Sequence, residues 1–270
     1  MRIGSIHTYP VKGCYRVDHD NIEVEPWGLS GDRRWMIIDA TTGQAITQRD
    51  LPTLTRIRPQ PTATGIVLRT PGLADLVVTA PMDGEPREVT VWAFTGRAAL
   101  AGPDADDWLS TALRTKVRLA WLDDPTRRAV NPKYAEPGDT VSFADGYPVL
   151  LANTASLDSL NDLIAESDSW EGPLPMTRFR PNLVITGAPA WLEDEWTGRR
   201  VRIGKVTFRV PKACPRCLVT TTDQETGERG REPLRTLARY RKVKQELLFA
   251  TSLIPDGRGH IAVGDRVEQV

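Results

Sequence analysis

The chain has 270 residues, and its 35 basic side chains balance 35 acidic ones. That balance excludes the overall field that would draw it to nucleic acid or an anionic membrane, and leaves a small or neutral molecule as the expected substrate. Three cysteines, an odd count, argue against a secreted disulfide framework, and no apolar run reaches the roughly 20 residues of a membrane helix. The N-terminal stretch MRIGSIHTYPVKG lacks a signal-peptide core, so the expectation is a cytoplasmic protein with reduced thiols.

Twenty-one glycines and twenty-one prolines spread along the chain punctuate many short segments, which predicts a mainly β fold of α+β type with few short helices. Residues 1–9 mix apolar and polar positions as a strand and stop at Pro10; Lys12 and Gly13 then lie in a turn. Alternating strands are expected at 21–25, 34–39, 65–69, 76–79 and 87–91, a meander or barrel, closed by one helix over 104–113. Residues 123–139, rich in Pro, Arg and Asp without a period, mark a junction between domains spanning 1–122 and 123–270.

Beyond the junction, Asn153, Thr154 and Ser156 offer caps for a helix carrying Leu157, Leu160, Leu163 and Ile164 on one face. Strands follow at 181–186, 201–204 and 205–210, the last two joined by a tight hairpin at Gly204-Lys205. A helix over 232–240 and a final strand over 261–267 complete the reading, with no repeat, low-complexity tract or charge block.

Chemistry concentrates at Cys214-Pro215-Arg216-Cys217, where a strand end delivers two thiols beside a guanidinium. The same spacing serves zinc sites and redox dithiols. A zinc would need Cys14 or the histidines 7, 19 and 260 as further ligands, whereas a redox dithiol would open a long helix, and Leu-Val-Thr-Thr-Thr follows Cys217 instead. A buried structural cysteine is the plain alternative, more for Cys214 than for Cys217. Lys12, Arg33, Arg34, Arg178 and Arg180 all stand at turns beside strands, where guanidinium forks and backbone amides hold anions; singly, each reads as a solvated surface charge.

Five motifs in order carry a resemblance: Tyr9-Pro10-Val11-Lys12; Gly31-Asp32-Arg33-Arg34-Trp35; Phe143-Ala144-Asp145-Gly146-Tyr147-Pro148; Arg178-Phe179-Arg180-Pro181-Asn182; and Cys214 to Cys217 continuing through Asp223-Gln224-Glu225-Thr226-Gly227. Together they resemble the MOSC proteins, in the branch with an N-terminal MOSC β-barrel domain that includes the mitochondrial amidoxime-reducing component and bacterial reductases of N-hydroxylated bases. The resemblance implies a β-barrel MOSC domain packed with a β-rich, barrel-like N-terminal domain, and a molybdenum cofactor, molybdopterin-bound, between them.

By motif position it implies Cys217 as the metal ligand, with Cys214 a neighbour. Lys12 and Arg33 correspond to phosphate contacts; Asp145, Arg180, Asn182 and Arg216 correspond to positions lining the pterin, and Tyr147 faces the cofactor. Asp223 is a candidate catalytic proton carrier, with capping of the 223–227 turn as its competing role. Ser156 or Thr154 offers an oxyanion contact at a helix start. The implied reaction is removal of oxygen from a hydroxylamine, amidoxime or N-hydroxylated base, consuming two electrons and two protons and releasing water.

A separate electron-donor protein, of ferredoxin or flavin type, is implied, since the chain shows no cysteine cluster for iron and sulfur. The alternative is a protein that carries the cofactor or its sulfur without turnover. MOSC domains also occur in sulfurases with a separate pyridoxal-dependent domain, so pyridoxal phosphate binding enters only as a description of the domain family, and the chain has no room for that domain. Two departures stand out: Gly13 replaces a common serine, and Phe249-Ala250-Thr251-Ser252 lies where relatives carry a larger side chain, which predicts a wider pocket.

Overall fold

A computed structural model describes residues 1–84, 86–167 and 169–270, and short strands dominate it. The largest sheet runs in the order Val17–His19, Arg2–Thr8, Leu183–Thr186, Val149–Asn153, Glu246–Pro255, Val206–Arg209, Arg200–Ile203 and Val267–Gln269. All its pairings are antiparallel except that of Val149–Asn153 with Leu183–Thr186. That parallel pair needs a crossover, which helix α2, Thr154–Ala165, supplies after α1, Pro103–Leu113, in the first half. The Asn153 side chain accepts from the Ala155 amide at 3.1 Å, the cap expected from the sequence.

The first half builds a four-stranded antiparallel sheet, Trp35–Asp39, Val117–Trp121, Phe94–Leu100 and Pro86–Val91, and a three-stranded one from Arg58–Pro61, Gly65–Arg69 and Leu76–Thr79. Leu54, Leu68, Leu109 and Leu119 fill its core, while Ile6, Leu151, Trp196, Phe208 and Leu253 fill that of the large sheet. The two halves are interleaved. Strand Arg2–Thr8 pairs with Leu183–Thr186, and Asn21–Glu25 pairs with Gly259–Ala262, so the start of the chain is sewn into sheets of its second half.

The hairpin at Gly204-Lys205 forms as expected: Ile203 pairs with Val206, and Gly204 takes φ +56°, which a two-residue turn requires. Residues 261–267 are not one strand. Gly259–Ala262 ends where the Asp265 carboxylate accepts the Ala262 amide at 2.8 Å, and pairing resumes at Val267–Gln269. The helix expected over 232–240 starts later, as α3, Leu234–Tyr240, with Pro233 before it and the Glu232 carboxylate accepting from the Thr236 amide at 3.1 Å.

The ten-residue strand Glu246–Pro255, which pairs with four others, carried no alternation in sequence because residues 249–255 are buried on both faces. Among the described residues no helix is long and apolar enough to cross a membrane.

Candidate functional site

The chain leaves the large sheet at Thr8 and enters the first-half sheet at Trp35, and these two crossings lie side by side. The Arg33 amide donates to the Tyr9 carbonyl at 2.9 Å, Trp35 to Pro10 at 3.0 Å, and Lys12 to Trp35 at 2.8 Å. Lys12 and Arg33 are thereby fixed at the seam between the halves, Arg33 in the left-handed region at φ 49°. A cleft of about 490 Å³ opens along that seam; Lys12, Arg33, Asp145, Tyr147, Arg180, Asn182, Cys214, Arg216 and Cys217 all line it.

In this cleft the Lys12 ammonium donates to the Phe143 carbonyl at 2.8 Å and pairs with the Asp145 carboxylate. The Trp92 indole N–H donates to the same carboxylate at 3.1 Å. Burial pulls the Lys12 pKa down to about 8 against the opposing pull of Asp145. For Asp145, desolvation would raise the pKa, but Lys12 and the Trp92 donor outweigh it and hold the carboxyl below its usual range. Arg128 fastens this loop from behind, donating to the carbonyls of Ser142, Ala144 and Asp145.

The floor is a cation stack. The Arg33 and Arg180 guanidinium carbons lie 4.5 and 4.1 Å from the Tyr9 ring centroid. Arg33 donates to Asp32 at 2.5 Å and to the Asn182 side-chain oxygen at 3.2 Å. Arg180, left-handed at φ 54°, donates to the Gln224 side chain and to the Cys14 carbonyl, both at 2.8 Å. Burial lowers the Arg180 pKa to about 10, so the group stays charged at neutral pH. Asn182 is committed on three sides, accepting from Arg33 and from the Leu150 amide and donating to the His7 carbonyl.

Cys217, on the cleft wall, is half-buried and opens the 3-10 turn Leu218–Thr221, not a long helix. Arg49 donates to its sulfur at 3.0 Å and stacks on Trp92 at 4.3 Å. Arg216 spans Cys214 Sγ at 2.9 Å and the Phe179 carbonyl at 2.7 Å, and among the described residues its buried Nε has no partner. Tyr147 faces the cleft with its pKa raised to about 12 by burial and by neighbouring acidic groups.

Several candidate residues lie elsewhere. Asp223 does not line the cleft: its carboxylate accepts the Glu225 and Thr226 amides at 2.9 Å and Arg178 at 3.3 Å, so it caps its own turn. Burial would raise its pKa, but those donors hold it below the usual carboxylate value. Ser156 donates to the buried Glu193 at 2.9 Å and Thr154 to the Ile185 carbonyl at 3.0 Å, so neither offers an oxyanion contact. Arg34 is spent on the Leu122 carbonyl, and Arg178 on the Thr221 carbonyl. Cys14 is fully buried, which pushes its thiol up to about 12. Among the described residues no three His, Cys, Asp or Glu side chains converge to hold a metal by themselves.

Sequence reasoning passed over Arg49, Trp92, Gln48 and Arg128. Arg49 and Gln48 lie in a polar loop with no spacing signal, and Trp92 stands at φ 55° in a turn, so only the folded chain brings them to the cleft.

Residues 1–116 match the family described as MOSC N-terminal beta barrel domain, and residues 138–268 match the MOSC domain. The chain is 31% identical over 287 residues to mitochondrial amidoxime reducing component 2 of Bos taurus, covering 99% of this chain and 83% of that protein. It is 29% identical over 284 residues to mitochondrial amidoxime-reducing component 1 of Homo sapiens, covering 98% and 82%. It is also 33% identical over 257 residues to molybdenum cofactor sulfurase of Anopheles gambiae, covering 88% of this chain but 32% of that protein. With both domains matched in order, and with a relative above 30% identity aligned over 99% of this chain, this chain belongs to the MOSC family, in the branch that carries the N-terminal MOSC β-barrel domain.

Proposed function

We propose that the seam cleft binds a molybdenum cofactor and that the protein is an oxidoreductase removing oxygen from N-hydroxylated small molecules. The observation that carries this reading is one cleft lined by a half-buried thiol that accepts from a guanidinium, a buried lysine and two arginines stacked on one tyrosine ring. That donor set fits a ligand with a soft metal and an anionic tail. The unpartnered Arg216 Nε is a buried donor awaiting an acceptor. When bound, the cofactor supplies the two-electron chemistry at nitrogen and oxygen that no side chain of the cleft provides.

The residues divide the remaining work. Cys217 would hold the metal, and Arg49 would keep donating to its sulfur, as outer partners of metal ligands do. Lys12 and Arg33 would hold the phosphate through charge-assisted hydrogen bonds, each worth about 1.5–3 kcal/mol. Arg180, Asn182 and Asp145 would set the pterin face. Electrons would come from a separate donor protein. The amidoxime-reducing relatives support turnover, because they align over 83% and 82% of their length against 32% for the sulfurase.

The reading is tested with protein from a host that makes the cofactor, assayed with a chemical reductant and an N-hydroxylated base or amidoxime. Reduction in proportion to molybdenum content is the expected result. Full metal loading without reduction would favour a cofactor carrier, and absence of molybdenum and pterin would overturn both readings.

Lys12 makes the grip on an anion pH-dependent. Cofactor retention is expected to weaken as pH rises through about 8, where the buried ammonium loses its proton. The stability term has the opposite sign: between about 8 and the ordinary 10.5 the unfolded chain binds the proton that the folded chain has released, so this group alone makes folding stability rise with pH. Pterin release measured across this range checks it; a Lys12→Arg variant that still loses cofactor over the same interval would contradict the assignment.

A further inference from the structure

Although the chain is neutral overall, residues 229–244 hold seven basic side chains and one acid, Glu232, which is fully buried. The expectation of no charge block therefore fails here. Arg229 turns inward to the Gln48 and Arg49 carbonyls, and Arg241 pairs with Asp194. Arg231 just before α3, Arg235 and Arg239 on it, and Lys242 and Lys244 in the hairpin that follows are exposed, and among the described residues none of them forms an ion pair. Exposed apolar groups lie among them, with Tyr240 at 44% and Val243 at 55%.

This face touches the segment bearing Cys217. Lys242 pairs with Leu247 across the hairpin, and the Leu247 carbonyl accepts the Arg216 amide at 2.7 Å. Adjacent strands lie about 5 Å apart, so Lys242 stands about 10 Å in backbone terms from the neighbour of Cys217. α3 also packs on the 3-10 turn that Cys217 opens, whose Leu218 is 42% exposed.

A basic face with exposed apolar groups among its charges, one short step from the proposed metal ligand, is what a small acidic protein would recognise. We infer that α3 and the 242–247 hairpin form the docking face for an acidic one-electron carrier protein. This rests on the proposed reductase activity, whose balance is R–NHOH + 2 e⁻ + 2 H⁺ → R–NH₂ + H₂O. Two successive dockings of a reduced iron–sulfur or flavin carrier supply the two electrons, each carrier leaving oxidised by one. An anionic membrane would also find the charges, but the contact with the Cys217 segment favours the carrier.

The probe is a plant-type [2Fe–2S] ferredoxin of net negative charge, coupled to the full-length protein with a carbodiimide, which joins carboxylates to lysines. Cross-links are expected at Lys242 and Lys244 and should vanish in about 0.5 M salt, where charges are screened beyond about 4 Å. The triple variant Arg235→Glu, Lys242→Glu, Lys244→Glu should weaken ferredoxin binding and ferredoxin-driven turnover at least about tenfold. Its turnover with reduced methyl viologen should match that of the parent protein. Cross-links confined to other lysines, unchanged affinity in the triple variant, or binding to phosphatidylserine vesicles without binding to ferredoxin would overturn the inference. Loss of viologen-driven turnover in fully loaded parent protein would instead sink the reductase reading, and the cross-link map would stand apart from it.

Discussion

Cys217→Ala is expected to lose bound molybdenum and to reduce N-hydroxylated substrate no faster than metal-free protein, while Cys214→Ala keeps both. The two thiols sit three residues apart, but their surroundings differ. Cys217 receives the Arg49 guanidinium that crosses from the first half, whereas Cys214 receives Arg216, two residues on in sequence. A soft, electron-rich sulfur has no substitute in alanine, and even serine offers a hard oxygen in its place. Removing Arg49 should act more mildly: Arg49→Ala is expected to lower metal retention and turnover by about 10- to 100-fold, the usual effect of losing a partner behind a ligand. Metal analysis beside a viologen-driven assay decides the matter. Retention of molybdenum by Cys217→Ala together with its loss from Cys214→Ala would reverse the ligand assignment.

Arg180→Ala should destabilise the fold by about 2–4 kcal/mol in urea unfolding, because the Cys14 carbonyl and the Gln224 side chain both lose a charged donor in a dry seam. Burial already works against this charge, pulling its pKa to about 10, so part of the loss is offset by removing a poorly solvated cation. Stacking on Tyr9 disappears as well. Arg180→Lys should recover little, since one ammonium cannot reach two acceptors with the span of a guanidinium fork. A measured change below about 0.5 kcal/mol, the range of ordinary surface substitutions, would show that Arg180 is not a keystone of the seam.

Local features were legible along the chain wherever neighbours in sequence decide them. Alternation marked Asn21–Glu25, Gly65–Arg69 and Leu76–Thr79, the Asn153 cap marked α2, and Gly204 marked a two-residue turn. Strands buried on both faces, such as Glu246–Pro255, gave no such signal, since alternation appears only where one face meets water. The run from Arg229 to Lys244 was not read as a charge block, and only folding shows which of its charges turn inward and which stay exposed.

The sequence by itself determined a mainly β chain, the order of its motifs and the chemical kinds present: a thiol beside a guanidinium, and cations at turns. Tertiary structure decided which of them meet. Lys12 finds Asp145 across 133 residues and Arg49 finds Cys217 across 168, contacts fixed by sheet register and by the left-handed backbone at Arg33 and Arg180. The same folding withdrew Asp223, Ser156 and Arg178 into hydrogen bonds of their own. Spacing along a chain encodes what a segment can do locally, whereas a cleft between two halves exists only once both have closed on it.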